Sequence, residues 1–212
     1  MKQTLKLGLL FVLLTAVIST YAQTYRLEVG YNNPIRFGAN VSSTKFNGIR
    51  IGGTAEFALK NNFSLLTGVL YNIVYSNKLQ GYPNSDSVTY KTWGHHLEIP
   101  LQVKYTYPIT KNLKVFGFAG PNFNVGLLQN QETISTMSTA LNQFHGITPG
   151  KSELYKDGII NRLNLQVGVG GGVQWKKYLL KSGYDFGLNK LNRTETGNVY
   201  QSGWYISLAY EF

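Results

Sequence analysis

The chain is 212 residues long, with 43% apolar residues, 14% charged residues, a formal net charge of +10 and no cysteine. Soluble domains usually carry about 25% charged residues, disordered chains are poor in aromatic residues, and disulfide-stapled modules need cysteines. The composition therefore excludes a disordered chain and a disulfide scaffold, and the length suits one domain or at most two small ones.

Residues 1–22 have the features of a secretory signal peptide. Lys2 and Lys6 precede an apolar run over residues 7–18, and Thr20 and Ala22 are the small residues of a cleavage site before residue 23. The run is shorter than the ~20 residues of a spanning helix, which makes a permanent anchor the less favoured alternative. Residues 23–212 then form the mature domain. This domain has no apolar run of spanning length, so it could cross a membrane only as a β-barrel.

Apolar and polar residues alternate with a period of two along the whole mature chain, which predicts an all-β protein. The alternation is clearest in the fourth segment, where Trp93 and Leu97 fall on one face and Glu98 and Gln102 on the other. The first segment keeps its phase across Pro34, which predicts one strand with a proline bulge and leaves two strands as an alternative. The predicted strands cover residues 25–42, 48–60, 63–76, 93–107, 112–127, 159–175, 178–189 and 199–212.

The connections between these strands alternate in length. Three are tight turns, at residues 61–62, 108–111 and 176–177. The others are mostly longer, at residues 77–92, 128–158 and 190–198, with a shorter one at 43–47. This pattern is typical of outer-membrane barrels with both termini on the periplasmic side. We therefore expect an eight-stranded, antiparallel, up-and-down transmembrane β-barrel.

The distribution of charge predicts which face of the sheet meets water. A soluble lipocalin-like barrel would be apolar inside and rich in charge outside. Here the polar face of the predicted strands carries few charges for a water-exposed surface and the apolar face carries none, so we expect the polar face to line the lumen and the apolar face to meet lipid. The lumenal charges are Arg26, Glu28, Arg36, Arg50, Glu56, Glu98, Lys104, Lys114, Arg162, Lys181, Asp185 and Glu211.

Aromatic residues cluster near the strand ends, as the two interfacial girdles of a membrane barrel require. The predicted periplasmic girdle contains Tyr25, Phe57, Phe63, Tyr105, Tyr107, Trp175, Tyr178 and Phe212. The predicted outer girdle contains Phe37, Tyr71, Tyr75, Trp93, Phe123, Tyr200 and Trp204.

Five stretches together resemble the small PorT-like outer-membrane β-barrel family of Bacteroidota. They are the signal peptide ending in residues 21–23, the segments 96–101 and 118–121, the Gly-rich sixth strand and residues 207–212. The resemblance covers the mature chain and implies outer-membrane lipids as surroundings. Separately, the alternating last strand with Leu208, Tyr210 and the terminal Phe212 resembles the signal that the barrel assembly machinery reads during insertion. PorT itself is implicated in the secretion of cargo carrying a C-terminal signal, but the motifs do not single out PorT among its relatives.

The remaining site-like features favour packing over chemistry. His95 and His96 point to opposite faces of one strand, so no metal site is expected. Residues 168–172 do not match a nucleotide-binding glycine motif, and we expect their glycines to make room for long lumenal side chains. The basic residues form no stripe, so no nucleic-acid binding is expected, and no cofactor is predicted. Side chains should fill a barrel of eight strands, with ion pairs such as Glu98 with Lys104 or Glu56 with Arg50.

These features predict a membrane-anchored structural or partner-binding scaffold whose outer loops, chiefly 77–92 and 128–158, contact secretion-system subunits or surface ligands. Two alternatives remain. One is a PorT-like accessory component of a protein secretion machine, and the other, less favoured, is a lipid-modifying barrel enzyme that would use His95. Candidate loop contacts are Tyr82, Tyr90, Met137, Phe144 and Tyr155, for each of which packing within the loop is the simpler interpretation.

Overall fold

The computed structural model describes residues 23–39, 41–193 and 198–212. The predicted signal peptide, residue 40 of the predicted first strand and residues 194–197 of the predicted loop 190–198 lie outside this part of the chain. Within it, no helix is long and apolar enough to span a membrane.

Eight long antiparallel strands close into a barrel, which confirms the predicted fold. They follow one another in chain order around the barrel, and the last strand pairs back with the first. Two short strands and one helix lie in the connections. The elements are β1 Gln23–Gly38, β2 Val41–Lys45, β3 Asn47–Ala58, β4 Phe63–Gly81, β5 Ser87–Pro108, β6 Leu113–Ser135, α1 Thr139–Phe144, β7 Gly150–Glu153, β8 Leu163–Trp175, β9 Tyr178–Gly187 and β10 Val199–Glu211.

The first strand is continuous, as predicted, but the expected bulge at Pro34 is not formed. The β1–β10 register runs without a shift through the pair of Pro34 with Gly203. On the other side of β1, the carbonyl oxygen of Pro34 accepts a hydrogen bond from the Phe46 amide, so the missing proline amide interrupts neither ladder. The register shifts instead between Arg36 and Gly38, where β1 pairs with β2.

Three neighbouring strands are much longer than the rest and form one raised side of the barrel. β4, β5 and β6 have 19, 22 and 23 residues, whereas a membrane-spanning strand needs only about 9–11. The predicted loop 77–92 is therefore shorter than expected and covers only residues 82–86, and residues 128–135 and 150–153 of the predicted loop 128–158 are strand. These strands pair up to a 3-10 turn at Pro83–Ser85 and up to Ser135. Outside lipid the outer face no longer has to be uniformly apolar, so the period-two signal fades while the backbone pairing continues.

The two faces of the barrel differ as predicted. Side chains that point inward are buried and mostly polar, and exposed large apolar side chains cover the outer surface. Tight hairpins close the predicted periplasmic end. Asn61 and Asn62 both have positive φ, 58° and 66°, as the two-residue turns that suit twisted strands require.

Candidate functional site

A buried charge cluster fills the middle of the lumen. The Arg50 guanidinium lies 2.9 Å from Glu98 and 3.5 Å from Glu28, and the Lys181 ammonium lies 2.7 Å from the other oxygen of Glu28. Asp185 is buried beside Arg50 and Glu98. We call these five residues the central cluster. Every ammonium or guanidinium in it touches a carboxylate, which is the condition under which charges remain stable out of water.

Two further groups hold the central cluster in place. The side-chain amides of Asn72 and Asn122 donate to the two oxygens of Glu98 at 3.1 and 3.0 Å. The Arg50 guanidinium also stacks on the ring of Tyr205, 4.0 Å from its centroid.

A second buried network lies nearer the tight hairpins. Arg26 pairs with Glu56 and, at 2.8 Å, with Glu211, while Lys104 pairs with Glu56 at 2.8 Å. We call these four residues the lower cluster. The specific pairs expected from the sequence, Glu98 with Lys104 and Glu56 with Arg50, are therefore wrong, because the register brings each of these groups to a different partner.

The other three predicted lumenal charges join neither cluster. Arg36 lies nearer the outer mouth and donates to the side-chain oxygens of Gln201 and Gln129 at 2.9 and 2.7 Å. Lys114 is exposed at the periplasmic mouth. The placement of Arg162 in the lumen is wrong, because β8 begins at Leu163 and not at residue 159 as predicted. Arg162 precedes the strand, is exposed and donates to the backbone carbonyl groups of residues 126 and 127.

Apolar side chains and glycines complete the packing of the lumen. Phe116 and Phe118 form a buried cluster with Leu179, Tyr205 and Ala209. A Cβ atom on Gly170 or Gly172 would lie within 2.7 Å of one of these two phenylalanine rings. This confirms that the glycines make room for long side chains.

The lumen of the described barrel is closed. Two cavities among the inward side chains in the middle of the lumen measure about 30 and 10 Å³, which is room for one or two water molecules at most, whereas wider recesses of about 420 and 390 Å³ lie at the periplasmic and outer mouths. At the outer mouth, Tyr155 is buried against Gly126, where its hydroxyl occupies the position that a Cβ would take. The interior can therefore stabilise the barrel but cannot pass a solute.

The predicted interfacial aromatics lie on the outer surface. Most of their side chains are exposed, Tyr71 and Tyr200 are half-buried, and Trp175 stacks on Tyr178 with 6.5 Å between ring centroids. Phe57 differs from the prediction because it is buried. The exposed set includes Tyr25, Tyr75, Trp93, Tyr105, Tyr107, Trp175, Tyr178, Trp204 and Phe212. Leu208, Tyr210 and Phe212, the predicted assembly signal, lie exposed on one row along β10.

The histidines form no obvious catalytic or metal site. Nδ1 of His95 lies 2.6 Å from the Tyr71 hydroxyl, with the two rings stacked, and neither a serine nor a carboxylate joins them among the described hydrogen bonds. In the part of the chain that the structure describes, no three acidic or histidine side chains are grouped to hold a metal ion.

A large concave site lies on the outer surface of the raised side, and no pattern in the sequence pointed to it directly. One cross-strand row places Tyr75, Trp93, Asn130 and Glu153 side by side on β4, β5, β6 and β7. The next row outward places Lys91 between Asn77 and Glu132, with Lys151 beyond. These rows line a pocket of about 540 Å³, which we call the wall pocket.

The turn after β7 forms the overhanging edge of the wall pocket. Slight burial alone would raise the pKa of Glu153, but backbone amides of Gln129, Lys156 and Tyr155 donate to its carboxylate and hold that pKa below its ordinary value. The Asp157 carboxylate in turn accepts from the Glu153 amide at 3.0 Å. The edge is therefore fixed by carboxylates that already have partners.

Several free polar groups face the wall pocket. Within the described residues, the side chains of Tyr75, Lys91, Trp93 and Asn130 make no hydrogen bond, although all four line the pocket. The wall pocket thus combines aromatic side chains with donors and acceptors that have no partner. Such a site can bind a molecule that has both polar groups and apolar surface.

Comparisons with known proteins place the chain in a family. Residues 8–193 match the model of the family described as "Outer membrane protein beta-barrel domain". No curated protein matches the sequence. The similar solved structures include Neisserial surface protein A, at 12% identity and a TM-score of 0.49, covering 90% of this chain and 99% of that one. They also include a major outer membrane protein of Thermus thermophilus, at 16% identity and a TM-score of 0.43. That match covers 91% of this chain and 100% of the other.

The family match covers most of the chain, and the barrel closes with an apolar outside and a charged, packed inside. The chain is therefore an outer-membrane, multi-pass β-barrel and belongs to the outer membrane protein beta-barrel domain family.

Proposed function

We propose that this barrel is a membrane-anchored scaffold that binds an extracellular partner through its raised side. The observation that carries the proposal is the wall pocket, a site of about 540 Å³ with unused polar side chains, placed directly outside the aromatic row of Tyr75 and Trp93. Because the lumen is packed, binding rather than transport is the activity that the geometry supports.

The exposed apolar residues of the raised side support the same proposal. Leu79 is 70% exposed and Ile134 is 44% exposed, and both lie farther out along their strands than the charged row of Lys91. Phe144 at the end of α1 is 82% exposed. Large apolar side chains exposed beyond the lipid contact level are a feature of protein interaction surfaces. Met137 and Tyr155, in contrast, are buried, so the simpler interpretation of packing within the loop holds for both, and they are not candidate partner contacts.

A PorT-like accessory role in secretion is the second candidate. Its supporting observation is the basic character of the tight hairpins, where Lys60, Lys111, Lys176 and Lys177 are all exposed. A lipid-modifying activity has no comparable support, since His95 is bonded only to a tyrosine. The enzyme alternative predicts that His95→Ala changes the lipid composition of the outer membrane, and we expect no change.

Site-specific photo-crosslinking in intact outer membranes separates the two main candidates. A benzophenone amino acid is placed at Lys91 in the wall pocket, at Lys111 in a tight hairpin, and at Leu188, which is exposed near the outer mouth on the low side of the barrel. We expect one discrete adduct at position 91 that is absent at 188 and is lost when Asn130→Trp fills the pocket. Adducts with secretion-machine subunits at position 111 alone would favour the second candidate, and identical background at all three positions would refute the proposal.

A further inference from the structure

The inner face of the raised side holds a second pocket, separate from the wall pocket. It measures about 390 Å³ and lies above the packed lumen, with buried Phe46 among its lining. We call it the mouth cup. Its polar lining includes Arg36, Thr44, Lys78, Gln80, Tyr90 and Gln131.

The charge of the mouth cup differs from that of the lumen below it. Each buried cation of the central and lower clusters, namely Arg26, Arg50, Lys104 and Lys181, touches a carboxylate. Among the described residues no aspartate or glutamate lines the cup, and neither Arg36 nor Lys78 forms an ion pair.

Both cations are held in position by neutral groups. The Arg36 guanidinium donates to two glutamine side chains and stacks on the Phe46 ring, 4.8 Å from its centroid. The Lys78 ammonium donates to the carbonyl oxygen of Ser42 at 2.8 Å and to the hydroxyl of Thr44 at 3.4 Å. Neutral acceptors fix the direction of a cation without cancelling its charge, so two oriented positive charges face the cup.

Unused donors accompany the two cations. Within the described residues, Nη1 of Arg36 and the Tyr90 hydroxyl make no hydrogen bond, and the side-chain amides of Gln80 and Gln131 also line the cup. An arginine fork, an ammonium and neighbouring amides are the groups that bind phosphate or sulfate. A phosphate group alone would leave most of a 390 Å³ pocket empty, whereas the hydroxyl and amide groups around it suit a sugar.

We propose that the mouth cup binds an anionic saccharide, whose phosphate or sulfate group lies between Arg36 and Lys78. The sugar hydroxyls then meet Tyr90, Gln80 and Gln131. This binding does not depend on the wall pocket, because the two pockets lie on opposite faces of the same strands.

Titration calorimetry of the purified full-length barrel in detergent micelles tests the proposal, with glucose 6-phosphate as the probe and with glucose and inorganic phosphate for comparison. We expect glucose 6-phosphate to bind more tightly than either comparison compound, and its affinity to fall as salt rises. Arg36→Gln and Lys78→Gln should each weaken binding by about tenfold or more, since each removes a charge-assisted contact. The matched control is Lys114→Gln, which removes a cation from the opposite mouth and should change affinity by less than about twofold.

The Lys78 variant protects the test against misfolding, because Lys78 is only half-buried. Retained fast gel mobility before boiling shows that each variant is folded. The absence of binding to the wild-type protein, or equal affinity of the wild-type protein and both cup variants, would overturn the proposal. Inorganic phosphate that binds as tightly as glucose 6-phosphate would overturn the assignment to a sugar.

A second arm distinguishes the source of the anionic sugar. Purified lipopolysaccharide is added to the micelles before the titration. Competition that weakens glucose 6-phosphate binding equally in the wild-type and Lys114→Gln barrels assigns the site to a lipid-borne head group, whereas unchanged glucose 6-phosphate binding assigns it to a soluble ligand. Photo-crosslinking at Lys91 is expected to be the same in wild-type and Lys78→Gln barrels, so the cup and the wall pocket can fail independently.

Discussion

Removal of Arg50 should destabilise the barrel more than any change to an exposed charge. Its side chain is 1% exposed and contacts both Glu28 and Glu98. Arg50→Met would leave Glu98 with amide donors only, and breaking a buried pair in this way costs about 3–5 kcal/mol. For a domain of 150–250 residues, this corresponds to a fall in melting temperature of roughly 6–20 °C. The matched control is Lys114→Met, whose cation is exposed at the periplasmic mouth.

The assay is the heat dependence of gel mobility, since folded and unfolded barrels migrate differently before boiling. A double variant, Arg50→Met with Glu98→Gln, removes one charge of each sign and retains the pair of Lys181 with Glu28. It should melt above Arg50→Met alone, because it also removes the buried Glu98 carboxylate that the single variant leaves without its cation. The reasoning fails if Arg50→Met melts within about 2 °C of the Lys114→Met control, or if the double variant melts lower than the single one.

The packing of the lumen and the chemistry of the rim lead to four further predictions. Gly170→Ala places a Cβ 2.4 Å from a phenylalanine ring carbon and from a backbone oxygen. It should destabilise the barrel by about 1–3 kcal/mol in the same gel assay. The control is Gly117→Ala, whose outward-facing Cβ would lie 3.8 Å from its nearest neighbour and should not destabilise the barrel. In planar bilayers the purified barrel should carry no steady ion current, and a stable open level would contradict the packed lumen. Because the Glu153 pKa is lowered, its support of the turn is full above the ordinary value of 4.5 and is lost only as the pH falls through the lower folded-state pKa. The NMR signal of the Lys156 amide should shift as this support is lost. In Glu153→Gln this pH-dependent shift should be absent. We also propose that Phe212→Ala slows insertion by purified assembly machinery while leaving unassisted folding in detergent unchanged, and equal slowing of both would oppose a recognition role.

The number of strands could be predicted because lipid imposes a strict rule on the segments that it surrounds. Every outward side chain there must be apolar, so alternation marks each crossing, as with Trp93 against Glu98. The roles of Gly170 and Gly172 were predictable for a related reason, since a narrow lumen with large side chains needs small neighbours. These features depend only on which face a residue occupies.

Features that depend on register could not be predicted from the sequence. The faces of Arg50 and Lys104 were predictable, but their partners require the stagger of neighbouring strands, and both expected pairs were wrong. The raised side was missed because its strands leave the lipid, where polar side chains occur on both faces and alternation fades. From the sequence, Lys78 was therefore placed in a loop. In the structure Lys78 and Gln80 belong to β4 and point inward, as every second residue of that strand does.

The charged residues in the middle of this barrel differ from those at its outer mouth in whether they have a partner of opposite charge. In the lumen, burial makes an unpaired charge costly, so Arg26, Arg50 and Lys181 each have a carboxylate and stabilise the packed wall. At the outer mouth, Arg36 and Lys78 are oriented by neutral groups and retain their charge. The proposed binding at the outer mouth therefore depends on two cations without a carboxylate partner, Arg36 on β1 and Lys78 on the raised strand β4.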